Sequence, residues 1–182
     1  PRSFKGLPGL LADSLPDRFG DALINAWLVR QGRPPDSLNP VERLCCTGRR
    51  GMGALEYEPV SHELAQDDDS VLQVAMLSKL AADLMAQREE FDPQIPRGRS
   101  ADDAFKQLIS VGSSVGGARA KAVVAWNRES DEFRPGQVEL PQGFEQWIIK
   151  LDEEGESKGY GRIEHVYHLM AVAAGIDMSE CR

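Results

Sequence analysis

Between Ser110 and Lys121 the chain reads Ser-Val-Gly-Ser-Ser-Val-Gly-Gly-Ala-Arg-Ala-Lys, and the apolar run Lys121 to Trp126 follows directly. Further on stands Trp147-Ile148-Ile149-Lys150, and Glu164 lies near the start of the next apolar stretch, Arg162 to Ala174. Small residues in a turn let backbone N–H groups close on phosphate oxygens, and an ammonium on an adjacent strand adds a point charge. An acid on the following helix can hold that ammonium in place. Loop, lysine-bearing strand and glutamate-bearing helix, in that order, are the parts of a nucleotide phosphate site. Together they read as the amino-terminal lobe of a kinase-like phosphotransferase.

The loop departs from the common phosphate motifs. Gly117 is followed by Ala118-Arg119 where a Walker loop needs Lys-Ser or Lys-Thr, and the strict Gly-x-Gly-x-x-Gly spacing is absent. A glycine pair among serines also describes a plain hairpin turn, and a lysine ending Trp-Ile-Ile can snorkel to solvent. The order of the elements carries the reading. Other reactive side chains point elsewhere. His165 and His168 share a helical face without a third ligand at metal-site spacing, which predicts no metal and places the pair on the flank of a core-facing helix. Cys45-Cys46 read as buried small hydrophobes on a short helix. Arg49 and Arg50 read as a solvated loop, with a nucleotide or partner contact as the alternative.

Positioning falls to a series of helices. Phe19, Leu23, Ala26, Trp27 and Arg30 recur at three- and four-residue spacing before Gly32, and Asn39-Pro40 gives an N-cap with proline at the first helical position, opening a helix through Cys46. Ala54 to Glu58 alternates as a short strand would. Asp67-Asp68-Asp69-Ser70 precedes a long amphipathic run, Val71 to Arg88, with Met76 and Met85 expected in the core. The proline-rich segment Phe91 to Arg99 marks a domain boundary, and Ser100-Ala101-Asp102-Asp103 starts a helix reaching Leu108 or Ile109. Then come the glycine-rich hairpin, a strand ending near Asn127, a polar loop through Gly136, a strand over Gln146 to Leu151 and a helix from Arg162. The expected fold class is mixed α/β (α+β). A helical amino-terminal subdomain, 1–99, joins a kinase-like small lobe with antiparallel strands, 100–182.

Whole-chain properties bound the partners. A length of 182 residues suffices for a buried core. A net charge of -8, from 21 basic and 29 acidic residues, disfavours autonomous binding to nucleic acid or an anionic membrane. Three cysteines, two of them adjacent, make no disulfide framework, and there is no apolar run of membrane-spanning length or signal-peptide pattern, so a reducing cytoplasmic setting is expected. With Pro1 in place of a methionine and a helix pattern running almost to Arg182, the chain reads as a fragment of a longer polypeptide.

The runs Phe4-Lys5-Gly6-Leu7-Pro8-Gly9-Leu10-Leu11-Ala12-Asp13-Ser14-Leu15-Pro16-Asp17 and Gly48-Arg49-Arg50-Gly51-Met52-Gly53-Ala54-Leu55 resemble the amino-terminal region of HipA-like toxins, serine/threonine kinases of bacterial toxin–antitoxin modules. Ser114-Val115-Gly116-Gly117-Ala118-Arg119-Ala120-Lys121 resembles that family's divergent phosphate loop, and Trp147-Ile148-Ile149-Lys150 its ATP-contacting strand. The resemblance spans nearly the whole chain. It implies that Ser114 is an autophosphorylation site whose modification ejects the loop, although Ser110 and Ser113 lie close by. It implies ATP contacts from Val115, Gly116, Gly117, Ala118, Arg119, Ala120, Lys121 and Lys150, with Glu164 orienting Lys150. At Arg119 and Ala120, where family members vary, only loop contacts are implied. The catalytic aspartate and the Mg²⁺ ligands would belong to a carboxy-terminal lobe outside this chain, leaving the fragment inactive alone. The implied substrates are ATP and a serine of a translation factor such as glutamate–tRNA ligase, with growth inhibition and persistence as the outcome. The implied partner is a HipB-like DNA-binding antitoxin, so that DNA is contacted only indirectly. Two other readings stand beside this one: an inert module that binds an antitoxin without catalysis, and a small-molecule phosphotransferase of the ATP-grasp kind. Neither accounts for the two amino-terminal runs.

Overall fold

A computed structural model of the chain describes residues 3–51, 54–60, 71–86, 99–112, 119–136, 140–151 and 159–182. Helices α1 (Gly9–Asp13), α2 (Arg18–Arg30), α3 (Pro40–Thr47), α4 (Val74–Ala86) and α5 (Arg99–Gly112) come first. Strands β1 (Lys121–Asn127), β2 (Glu132–Pro135) and β3 (Glu145–Lys150) follow, and then helix α6 (Tyr160–Ala173). The strands form an antiparallel sheet in the order β2-β1-β3. The fold is therefore mixed α/β, with α1 to α5 ahead of the strands and α6 after them. Among the described residues no helix is long and apolar enough to cross a membrane.

Local chemistry explains the early helices. The Asp17 carboxylate caps α2 by accepting from the Gly20 N–H at 2.8 Å, and the helix buries Phe19, Leu23, Ala26 and Trp27, the row its sequence spacing predicts. Arg30 continues that row. Its guanidinium lies 4.3 Å from the centre of the Phe105 ring and 2.5 Å from an Asp102 oxygen, fastening α2 to α5. Asn39 caps α3 in a full capping box: its side chain accepts from the Val41 and Glu42 N–H groups while Glu42 reaches back to the Asn39 N–H. Inside that helix Cys46 is buried, and desolvation pushes its thiol up to about 11, so it behaves as a small apolar side chain and not as a redox group.

The core lies where α2, α4, α5 and β1 meet. From α4 it takes Leu77, Leu80, Ala81 and Leu84, and from α5 Ala104, Phe105, Leu108, Ile109 and Val111. Phe19 and Leu23 of α2 and Ala122 and Val124 of β1 close it, in one cluster that crosses residue 99. Met76, expected in the core, is instead 38 % exposed, because α4 begins at Val74 and its i, i+3, i+4, i+7 stripe starts at Leu77. The Met85 side chain lies outside the description.

Other expectations are corrected as well. Ala54 to Glu58 forms no strand. The alternating acids Glu56 and Glu58 both meet the single exposed side chain of Arg49, at 3.7 and 2.9 Å, and no neighbouring strand pairs with the segment among the described residues. Arg50 is not solvated: it is 8 % exposed and donates to the Ile109 carbonyl at 3.1 Å and the Cys46 carbonyl at 2.7 Å, joining the ends of α5 and α3. The polar loop after Asn127 contains β2, whose Phe133 ring stacks on Trp126 at 5.7 Å. The glycine-rich segment starts later than its composition suggests, because α5 runs through Ser110, Val111 and Gly112. Ser110 Oγ donates back to the Gln107 carbonyl at 2.7 Å, and Val111 is fully buried. Gly112 serves close packing: a Cβ there would lie 2.8 Å from Phe19 Cε1 and 3.1 Å from Leu23 Cδ1. Among the described residues the element before β1 is helix α5, and residues 113–118 between them lie outside the description.

Candidate functional site

Strand pairing brings the two lysines together. Lys121 opens β1 and Lys150 ends β3, and the antiparallel register sets them directly opposite one another, so their side chains leave the same face of the sheet. Interior alternation gives the other face its purpose. Ala122 and Val124 of β1, with Trp147 and Ile149 of β3, join the core cluster, which leaves Lys121, Lys150 and Ile148 on the opposite side. Two ammonium groups on facing backbone positions repel one another, and a nearby anion relieves that repulsion.

That anion is Glu164, in the second turn of α6. One carboxylate oxygen accepts from the Lys150 ammonium, and the other lies 3.9 Å from the Arg119 guanidinium. The Arg119 guanidinium in turn covers the ring of Tyr160, the first residue of α6, at 4.1 Å. Lys150 and Glu164 are 51 and 41 % exposed, so the pair is open to a ligand. One carboxylate is shared between Lys150 and Arg119, and Lys121 stands opposite Lys150 across the paired strands. Such a group can take a polyphosphate, with Glu164 holding the Lys150 ammonium at a fixed place while the anion arrives.

Six residues, 113–118, separate α5 from Arg119, so Ser114, Val115, Gly116, Gly117 and Ala118 lie outside the described residues, as does Ser113. Their neighbours are fixed: Gly112 is wedged against α2, and Ala120 is buried, its carbonyl accepting from the Leu151 N–H at 2.9 Å. The loop's two ends are therefore tied to the core and to the lysine strands. Of the remaining predicted residues, Arg119, Lys121, Lys150 and Glu164 converge, whereas Ala120 acts through the backbone.

Sequence reasoning missed Asp17 as a neighbour of this site. Burial pushes its carboxyl up, against the opposing pull of the Gly20 N–H and the positive charge of Lys121. The cap of α2 thus feels the β1 lysine across more than a hundred residues, a proximity that no local pattern encodes. The histidine pair is also placed differently from expectation. His165 and His168 stack with ring centres 6.2 Å apart, but α6 carries no buried residue and is not core-facing. Among the described residues no group of three or more His, Cys, Asp or Glu side chains gathers as metal ligands would.

Two family models match the chain: that of the HipA N-terminal domain over residues 1–58, and that of the HipA-like C-terminal domain over residues 113–182. No curated protein and no solved structure matches it. The second family model takes in residues 113–118, the paired lysines and Glu164, and the first takes in the capped helices α2 and α3; the chain is a HipA-like protein.

Proposed function

We propose that the protein is part of a serine/threonine protein kinase of the toxin–antitoxin type, and that residues 113–121 with Lys150 and Glu164 hold ATP. HipA-family domains suggest a kinase-type protein. The observation that carries the reading is the Lys150–Glu164 pair, seated between Arg119 and Lys121 at the exit of the 113–118 segment. In this reading backbone N–H groups of Val115 to Ala118 close on the phosphates, Lys150 meets the α- and β-phosphates, and Glu164 keeps Lys150 aimed. Mg²⁺ would arrive with the nucleotide, and its ligands and the aspartate that handles the hydroxyl proton are assigned to no residue described above. Transfer breaks the bond between the β–γ bridging oxygen and the γ-phosphorus and forms one from a serine oxygen to that phosphorus, with ADP leaving and the hydroxyl proton going to a base.

Ser114 is the proposed self-target. A phosphoserine there would place about -1.5 to -2 charges five and seven residues ahead of Arg119 and Lys121 in the chain. Division into a 1–99 subdomain and a 100–182 small lobe belongs to the same proposal. So do an aminoacyl-tRNA synthetase as the acceptor and a HipB-like antitoxin as the partner, the latter supplying DNA contacts that a chain of net charge -8 does not favour. The test is tandem mass spectrometry of the complete parent kinase, carboxy-terminal lobe included, after incubation with Mg²⁺ and ATP. The expected result is phosphate on Ser114, and a protein that stays unmodified while consuming no ATP contradicts the reading.

A further inference from the structure

Helix α6 supplies Glu164, yet none of its residues is buried: Ile163, Val166, Leu169 and Met170 are all half exposed or more. Apolar packing among the described residues therefore does not fix where Glu164 stands. Polar contacts at its two ends do. At the near end Glu164 meets Lys150 and Arg119.

At the far end the chain leaves α6 through Gly175, whose φ of +81° is the left-handed conformation that ends helices. The Gly175 N–H donates to the Val172 carbonyl and the Ile176 N–H to the Ala171 carbonyl, both at 3.0 Å, which turns the chain sharply. The segment then brings Glu180 to the turn between β1 and β2. One Glu180 oxygen accepts from Arg128 Nη2 and the other from Arg182 Nε, each at 2.6 Å. Arg128 also donates through Nε to Glu145 on β3 at 2.9 Å. Both arginines lie over the Trp126 ring at 5.6 Å, and Arg128 lies 5.2 Å from Trp147. The Arg128 hydrogen bond, first among several influences, holds the Glu180 carboxyl below the usual range.

These contacts bridge a single strand. Glu145 and Lys150 bound β3, roughly 17 Å apart at about 3.4 Å per residue. From Glu164 to the end of α6 is roughly 14 Å at 1.5 Å per residue. A helix of that length, followed by a tight turn, reaches from one end of β3 to the other and is tied at both. We propose that Glu180 is a positioning residue: clamped by Arg128 and Arg182, it anchors the far end of α6 and thereby holds Glu164 against Lys150. Its consequence for nucleotide binding rests on the reading of the site given under Proposed function.

The test combines hydrogen exchange with MgATP titration of the intact protein and its Glu180→Ala variant. The α6 amides of the variant should exchange at least about threefold faster, while those of α5 and β1 keep wild-type rates. MgATP affinity should fall roughly three- to tenfold, and that loss should vanish in a Glu164→Gln background, because it passes through Glu164. Unchanged α6 exchange, or a loss that adds in full to that of Glu164→Gln, overturns the proposal. If the wild-type protein binds no MgATP, the nucleotide reading fails, and the α6 exchange rates alone decide the anchor.

Discussion

Helices α5 and α6 are each fourteen residues long, and they are built on opposite terms. α5 buries Phe105, Leu108, Ile109 and Val111 against α2, α4 and β1, and even its last residue is a glycine chosen by packing. α6 buries nothing and is held by Lys150 and Arg119 at one end and by Arg128 at the other. Apolar burial is non-directional and strong, so α5 is fixed as part of the core. Exposed ion pairs contribute only about 0 to 1 kcal/mol each, so α6 is directed but easily displaced. The candidate site spans the two regimes: Lys121 and Lys150 belong to a sheet braced by α5, and Glu164 rides on the lightly held helix. The ties at the two ends of α6 are therefore what keep Glu164 at Lys150.

Truncation in each helix breaks or sharpens this contrast. Phe105→Ala should destabilise the protein by about 3 to 5 kcal/mol, seen as a lower urea midpoint, because the side chain is 2 % exposed and sits among well-packed neighbours. A cost below about 1 kcal/mol would mean that α5 is not the brace described. Val166→Ala in α6, where the side chain is 52 % exposed, should shift stability by no more than about 0.5 kcal/mol in the same assay. A loss of core size there would show that α6 is packed after all. Lys150→Ala should leave the midpoint nearly unchanged, since it removes one exposed pair.

Much of the frame was legible in the chain because local signals agreed. The Phe19–Leu23–Trp27 row and the Asn39-Pro40 N-cap each mark a helix that the structure holds, and Lys121 and Lys150 lie on paired strands. What failed involved contacts that no local pattern encodes. Gly112 looked like a loop glycine because only its contact with Phe19, more than ninety residues earlier, reveals its use. Arg50 looked solvated because the carbonyls it satisfies belong to two other helix ends. β2 was missed since Glu132 to Pro135 is short and polar, and its stability comes from stacking Phe133 on Trp126. At the site the Lys150–Glu164 pair was foreseen, whereas Arg119's share in Glu164, the nearness of Asp17 and the Arg128–Glu180 anchor were not. Ion pairs between exposed side chains leave no periodic trace in a sequence.

The most direct test of the central claim is calorimetric titration of MgATP into the intact protein and into Lys150→Ala. The account predicts saturable binding by the wild type and at least a tenfold weaker affinity in the variant, about 1.4 kcal/mol, with the unfolding midpoint preserved. Equal affinities in the two proteins, or no binding by the wild type, would contradict it.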